Sequence, residues 1–146
     1  MGNCIKKNNK LKYADNTIPY YTLKNKSFIG KIVNIYDGDT CTIVIKNNGK
    51  LQKYKVRMNG YDSPEMKPKK NIVNRDQIKK NALEAKNALK NKINDKLIII
   101  DCGDWDKYGR LLGTLYTIKK GKKNININKW MIDNNYGYEY NGGTKR

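Results

Sequence analysis

The sequence predicts an α+β domain that is mainly β. Three observations predict it. Three runs of strand-forming residues follow one another between residues 28 and 59, parted by turn signals. An apolar stripe at helical spacing comes next. Two further apolar runs and a second helical stretch complete the pattern.

Residues 1–26 are polar, with scattered apolar side chains and no period, and read as a flexible basic N-terminal tail; the folded domain is expected over 27–143. Residues 28–36 alternate loosely as a first strand, ended by Asp37-Gly38-Asp39, a turn signal. Residues 40–45 are nearly all β-formers and give a second strand. Asn47, Asn48 and Gly49 make a hairpin turn, and residues 51–59 a third strand. A basic loop over 66–74 leads into a helix over 75–92, whose Ile78, Ala82, Ala85, Leu89 and Ile93 share one face while Lys79, Lys80, Lys86 and Lys90 lie off it. Residues 97–100 and 111–118 read as short apolar strands, and 124–134 as a second helix with Ile127, Trp130 and Met131. A five-stranded Greek-key barrel with a helix between strands three and four and a C-terminal helix is the OB-fold plan. The same order also fits other small α+β folds.

The chain carries 31 Lys and Arg against 13 Asp and Glu, a formal charge of +18. Such a surplus concentrates polyanions around the protein. Nucleic acid is one such partner, held mainly through its phosphates; an anionic membrane surface is another. Solvated faces filled with Lys and Asn are the plainer reading of the same numbers. The sequence has no histidine. That excludes a His-ligated zinc site, a Ser-His-Asp triad and a His general base. Its three cysteines, Cys4, Cys41 and Cys102, have no paired spacing, which argues against a disulfide framework. Cys41 and Cys102 sit in apolar runs and read as reduced core residues. No apolar run is long enough to span a bilayer, and the N-terminus lacks the apolar segment of a secretory signal. An intracellular protein is expected.

The acids are scarce, so their positions are informative. Asp37 and Asp39 flank Gly38, and Asp62 and Glu65 follow the third strand. In a barrel meander the first turn and the end of the third strand come together, which would gather four carboxylates. Like charges that close are costly without a cation between them, and an all-oxygen cluster suits a hard ion such as calcium. Alone, Asp-Gly-Asp is an ordinary turn. Only four arginines occur, Arg57, Arg75, Arg110 and Arg146, in a chain that otherwise uses lysine. Arginine offers a planar fork that grips phosphate and keeps its charge; equally, each could pair with a carboxylate to hold a loop. Phosphodiester hydrolysis needs an activated water, positive charge on the phosphoryl oxygens and in-line positioning. Without histidine the base must be a carboxylate, and Glu65 is the candidate. Arg57, Arg110 and a metal ion would supply the charge. In Asp106-Lys-Tyr-Gly-Arg110, Gly109 allows a sharp turn that presents Arg110, while Lys107 and Tyr108 are placed to touch a phosphate and a base or sugar. A tight turn with a packed tyrosine explains Tyr108 as well.

Taken together, residues 33–40 (Val-Asn-Ile-Tyr-Asp-Gly-Asp-Thr), 56–65 (Val-Arg-Met-Asn-Gly-Tyr-Asp-Ser-Pro-Glu) and 106–110 resemble the staphylococcal (micrococcal) nuclease, or thermonuclease-like, family. Residues 127–133 match more weakly. The resemblance implies an OB-fold and calcium-dependent cleavage of DNA and RNA by an endonuclease. It implies Asp39 and Asp62 as carboxylate ligands of Ca2+, Ser63 as a backbone-carbonyl ligand where the family usually has Thr, and Asp37 acting through water. It implies Glu65 as general base, Arg57 and Arg110 as transition-state stabilisers, and Lys107 and Tyr108 as substrate-binding residues. The C-terminal helix of the secreted bacterial members is expected to be absent. Their later stacking tyrosines have no clear match, though Tyr136, Tyr138 and Tyr140 are available as substitutes.

Met1-Gly2-Asn3-Cys4 begins like an N-myristoylated protein, with Gly2 as acceptor and Cys4 placed for palmitoylation, although Lys6 stands where Ser or Thr is preferred. Lys6, Lys7, Lys10 and Lys12 add a basic cluster. An acyl chain with basic residues, or two chains, anchors a protein stably, here at the cytoplasmic face of a membrane; a plain tail is the other reading. Three functions therefore compete: an active, monomeric nuclease; a catalytically inactive nucleic-acid-binding OB-fold module; and a basic, lipid-anchored adaptor. Retention of Asp39, Arg57, Asp62, Glu65 and Arg110 together favours the first.

Overall fold

The computed structural model describes residues 9–140. Gly2 and Cys4 lie outside them. The strands are β1 (Ser27–Asp37), β2 (Thr40–Asn47), β3 (Lys50–Met58), β4 (Tyr61–Asp62), β5 (Leu97–Trp105), β6 (Leu111–Lys119), β7 (Lys122–Asn126) and β8 (Tyr138–Glu139). The α-helices are α1 (Arg75–Ile93) and α2 (Ile127–Asp133). A 3-10 turn spans Asn9–Tyr13.

Strands β1 to β3 form the expected meander. The β2–β3 hairpin turns on Asn48 and Gly49, both with positive φ (50° and 78°), the geometry of a tight primed turn. Strand order is β3-β2-β1-β5-β6-β7, and an additional parallel pairing of β3 with β6 closes the first five into an OB-fold barrel. The closing pairs are Val56–Leu111, Arg57–Leu112 and Met58–Gly113. The loose alternation of β1 has a cause: its register slips between Ile32 and Asn34 and again between Ile35 and Asp37, so buried Ile32 and Ile35 are three apart. Bulges of this kind re-aim side chains.

The barrel interior is filled by branched and long apolar residues, including Ile43, Ile45, Val56, Ile98, Ile100 and Leu115, all within 1% of full burial. Ala85, Leu89 and Ile93 of α1 pack onto it. The stripe read from the sequence is the one buried. Lys90 and Lys92 lie in the last turn of α1 and Asp76 in the first, each complementing the helix dipole.

Four features differ from expectation. The strand expected over 97–100 continues to Trp105. The N-terminal part of the second helix is instead strand β7, hydrogen-bonded to β6. Asn124-Ile-Asn-Ile-Asn alternates with period two, and Asn126 accepts from the Lys129 N–H, so the helix starts only at Ile127. Two short strands went unread: β4 pairs with β8, Tyr61 with Glu139 and Asp62 with Tyr138. Leu23, from the segment read as tail, is 1% exposed and belongs to the core. Backbone bonds between Asn25 and Cys102, and between Cys102 and Lys26, fasten that segment to β5. Among the described residues, no helix is long and apolar enough to cross a membrane.

Candidate active site

The site begins at the turn between β1 and β2. A Cβ on Gly38 would lie 2.8 Å from both the Ala85 and the Ser63 Cβ, so only glycine lets the turn sit between α1 and the segment after β4. Tyr61 is fully buried and donates its hydroxyl to the Gly38 carbonyl at 2.7 Å. Burial raises that phenol well above its ordinary range, which keeps it a donor. The Met58 N–H donates to the Asp39 carbonyl at 2.8 Å. The turn is thus tied to β3 and β4 before any charge is considered.

Asp39 is 7% exposed. Its Oδ1 accepts from the Thr40 hydroxyl at 2.9 Å, and its Oδ2 accepts from the Ser63 N–H at 2.9 Å. Burial pushes its carboxyl upward, but the Arg57 charge and these hydrogen bonds outweigh burial and hold it below the usual carboxylate value. Asp37 goes the other way. Burial first, and then the charge of Asp39, push it up to about 6. Two acids two residues apart therefore hold protons with very different tenacity.

Pairing of Arg57 with Thr40 across β2 and β3 sets the arginine beside the turn. Its guanidinium folds back over the acids. Nη2 donates to Asp62 Oδ1, Nη1 lies 3.3 Å from Asp39 Oδ2, and Nη1 also donates to the Met58 and Tyr61 carbonyls at 2.9 Å each. The Arg57 and Asp62 side chains are 12% and 1% exposed. Of the two roles open to Arg57 in the sequence, this geometry displays the loop-holding one.

The second arginine is held differently. Asp106 Oδ1 accepts from the Tyr108 and Arg110 N–H groups, each at 2.9 Å, and its Oδ2 accepts from Arg110 Nε at 2.7 Å. Those bonds outweigh partial burial and hold the Asp106 carboxyl below its usual value. Gly109 supplies the positive φ of 79° that the turn needs. Tyr108 is 72% exposed, with Arg110 and Lys107 5.3 and 5.1 Å from its ring centre.

One open cleft of about 890 Å3 collects the expected catalytic, metal and substrate residues. Asp37, Asp39, Asp62, Ser63 and Glu65 line it together with Arg57. Lys107, Tyr108 and Arg110 line it from the β5–β6 turn. Glu65 is exposed. The expected tight cluster of four carboxylates is not what the fold builds. Among the described residues no three acidic or cysteine side chains stand at metal-holding spacing, and the charge set against Asp39 and Asp62 is the guanidinium of Arg57. Cys41 is free and buried; burial, then Asp37, push its thiol up to about 12, so it is no nucleophile.

Sequence reading passed over three supporting residues. Tyr61 and Thr40 lie inside the quoted motifs but signal nothing by type. Asn128 is buried; its Nδ2 donates to the Asn59 and Gly113 carbonyls at 2.8 and 3.0 Å, and its Oδ1 accepts from the Leu115 N–H at 3.0 Å. It pins α2 to the seam where the barrel closes. A polar residue between Ile127 and the Trp130–Met131 pair was the available clue.

An OB-fold barrel with one arginine in its closing seam, paired to buried acids, and a second just before the seam is the class of domain that fold and site define. The family model described as staphylococcal nuclease homologue matches residues 55–143, more than half of the chain, and the chain belongs to that family. The match takes in Arg57, Asp62, Ser63, Glu65, Lys107, Tyr108 and Arg110, and begins after the Asp37–Asp39 turn. No curated protein matches the sequence significantly.

Proposed function

We propose that the chain is a calcium-dependent endonuclease that hydrolyses phosphodiester bonds of DNA and RNA. The observation that carries this reading is one cleft lined by Glu65, Arg57 and Arg110 together with Asp37, Asp39 and Asp62, on a histidine-free chain of charge +18. Asp39, Asp62 and the Ser63 carbonyl would offer an all-oxygen donor set, the chemistry that suits calcium, beside the Arg57 charge that already faces the two acids. They would hold the ion, with Asp37 acting through water. When bound, the ion supplies positive charge to the phosphoryl oxygens. Glu65 takes the proton of the attacking water, and its exposure leaves it open to solvent. Arg110 meets the charge that develops on the phosphate, and Asp106 aims it. Arg57 shares that task while balancing Asp39 and Asp62. Lys107 and Tyr108 bind the nucleotide.

Incubating plasmid DNA and RNA with calcium, and with calcium plus chelator, tests the reading. Cleavage in calcium alone is expected, and Glu65→Gln should lower turnover about 10²–10⁴-fold. Cleavage that persists in chelator, or no cleavage in calcium, would sink it.

A second reading, attachment to an anionic membrane at its cytoplasmic face, draws on a separate observation. Leu11, Tyr13, Ile18, Tyr20 and Tyr21 are 62–98% exposed, beside Lys10 and Lys12. Apolar and basic side chains so arranged favour an interfacial position. Myristate labelling at Gly2 and sedimentation with anionic vesicles test it; no labelling and no sedimentation would remove it.

A further inference from the structure

We infer that Tyr36, Lys67 and Lys86 build a second nucleotide subsite in the cleft. The inference rests on the phosphodiesterase reading above and reaches residues that reading does not use. The three come from separate elements, β1, the loop after β4, and α1, yet line the same cleft as the acids and Arg57. A smaller hollow of about 440 Å3 shares Arg57, Lys107, Tyr108, Arg110 and Tyr140 with the cleft, but not Tyr36, Lys67 or Lys86. The two hollows therefore meet at the arginines. Tyr36, Lys67 and Lys86 belong to the part of the larger cleft that the smaller one does not reach. The shared residues, the two arginines with Lys107 and Tyr108, mark the middle of the trough that the two hollows form, and Tyr36, Lys67 and Lys86 lie in the part beyond it.

Tyr36 makes no side-chain hydrogen bond or ring contact among the described residues. It falls in the bulge between Ile35, which faces Cys41, and Asp37, which faces Thr40. It is 70% exposed while its neighbour Ile35 is 5% exposed. A bulge that turns a ring out at the rim of a cleft is a way of presenting a stacking surface. Every base has a face to stack, so such a platform tolerates sequence. Lys86 is half-buried and follows Ala85, whose Cβ packs against the Gly38 turn, so its place on the helix is fixed relative to that turn. Lys67 is exposed at the edge of the basic loop. Ammonium groups beside a stacking ring match the alternation of phosphate and base along a single strand.

Steady-state cleavage of a single strand of roughly 12 nucleotides, set against a dinucleotide, tests this. Tyr36→Ala and Lys86→Ala should each raise KM for the long strand by about tenfold. Both should leave kcat/KM for the dinucleotide unchanged, and Tyr36→Phe should behave as wild type. Lys86→Ala should also lower the salt slope of strand binding by about 1. Equal losses on both substrates, or none on either, would overturn the subsite. If the wild type cleaves neither substrate, the phosphodiesterase reading fails by itself. Fluorescence anisotropy of the labelled strand then decides the subsite, about tenfold weaker binding by Tyr36→Ala supporting it and equal binding overturning it.

Discussion

Arg57 and Arg110 stand in one cleft and are held in opposite ways. Arg57 is wired into the barrel: its fork serves Asp39, Asp62 and two backbone carbonyls, and its side chain is 12% exposed. Arg110 is held by one carboxylate four residues back, in a turn complete in itself, and is 28% exposed. The first arginine is part of what makes the site fold. The second is mounted on a fold that is already made. Residues equal in chemistry should therefore fail differently.

Substitution of the two arginines gives the widest separation. Arg57→Met leaves Asp39 and Asp62 buried without their counter-charge and should cost about 3–5 kcal/mol of stability in chelator. Denaturant unfolding followed by circular dichroism measures it, and calcium should recover part of the loss. Arg110→Met should change stability by less than about 1 kcal/mol while lowering turnover about 10²–10³-fold. If both variants lose stability alike, the contrast is broken. Gly38→Ala comes next: the added methyl meets Ala85 and Ser63 and should cost about 1–3 kcal/mol, whereas Gly121→Ala, at a φ of 75° with open space around it, should cost about 1–2 kcal/mol through backbone strain alone.

The smallest effect is one of sign. Asp37 is raised to about 6 when folded, so the unfolded chain ionises first as pH rises. Metal-free stability should fall between about pH 4 and pH 6, by ~1 kcal/mol after allowance for its partial exposure. Asp37→Asn should flatten that slope. Asp106 is lowered, so its contribution is present above the ordinary carboxylate range and is lost as pH falls through it. Asp106→Asn should therefore remove stability at neutral pH and little in acid. Thermal melts across pH, in chelator, separate the two.

Much of this was legible because local rules and global fold agree. The β-branched run over 40–45 and the Asn48-Gly49 turn lead to one hairpin and no other. The stripe of α1 is buried where the spacing puts it. Strands β4 and β8, two residues each, are too short to show a period. The second helix was read too long because Ile125 and Ile127 fit both periods until the Asn126 cap is seen. At the site, residue types were readable and pair geometry was not. Carboxylates and arginines announce phosphate chemistry, but nothing in the order of residues says that Arg57 would bind Asp39 and Asp62 at once. Tyr61 and Asn128 act through contacts 23 and 15 residues away, a distance at which sequence carries no spacing signal.

The parallel seam between β3 and β6 has a consequence for biosynthesis. It joins Arg57 to Leu112 across a long stretch of chain, and such distant pairings tend to form late. Asp39, Arg57 and Glu65 leave the ribosome well before Arg110 does. Until the seam zips, Arg57 and Arg110 do not share a cleft, so a nascent chain carries the two halves of the site unassembled.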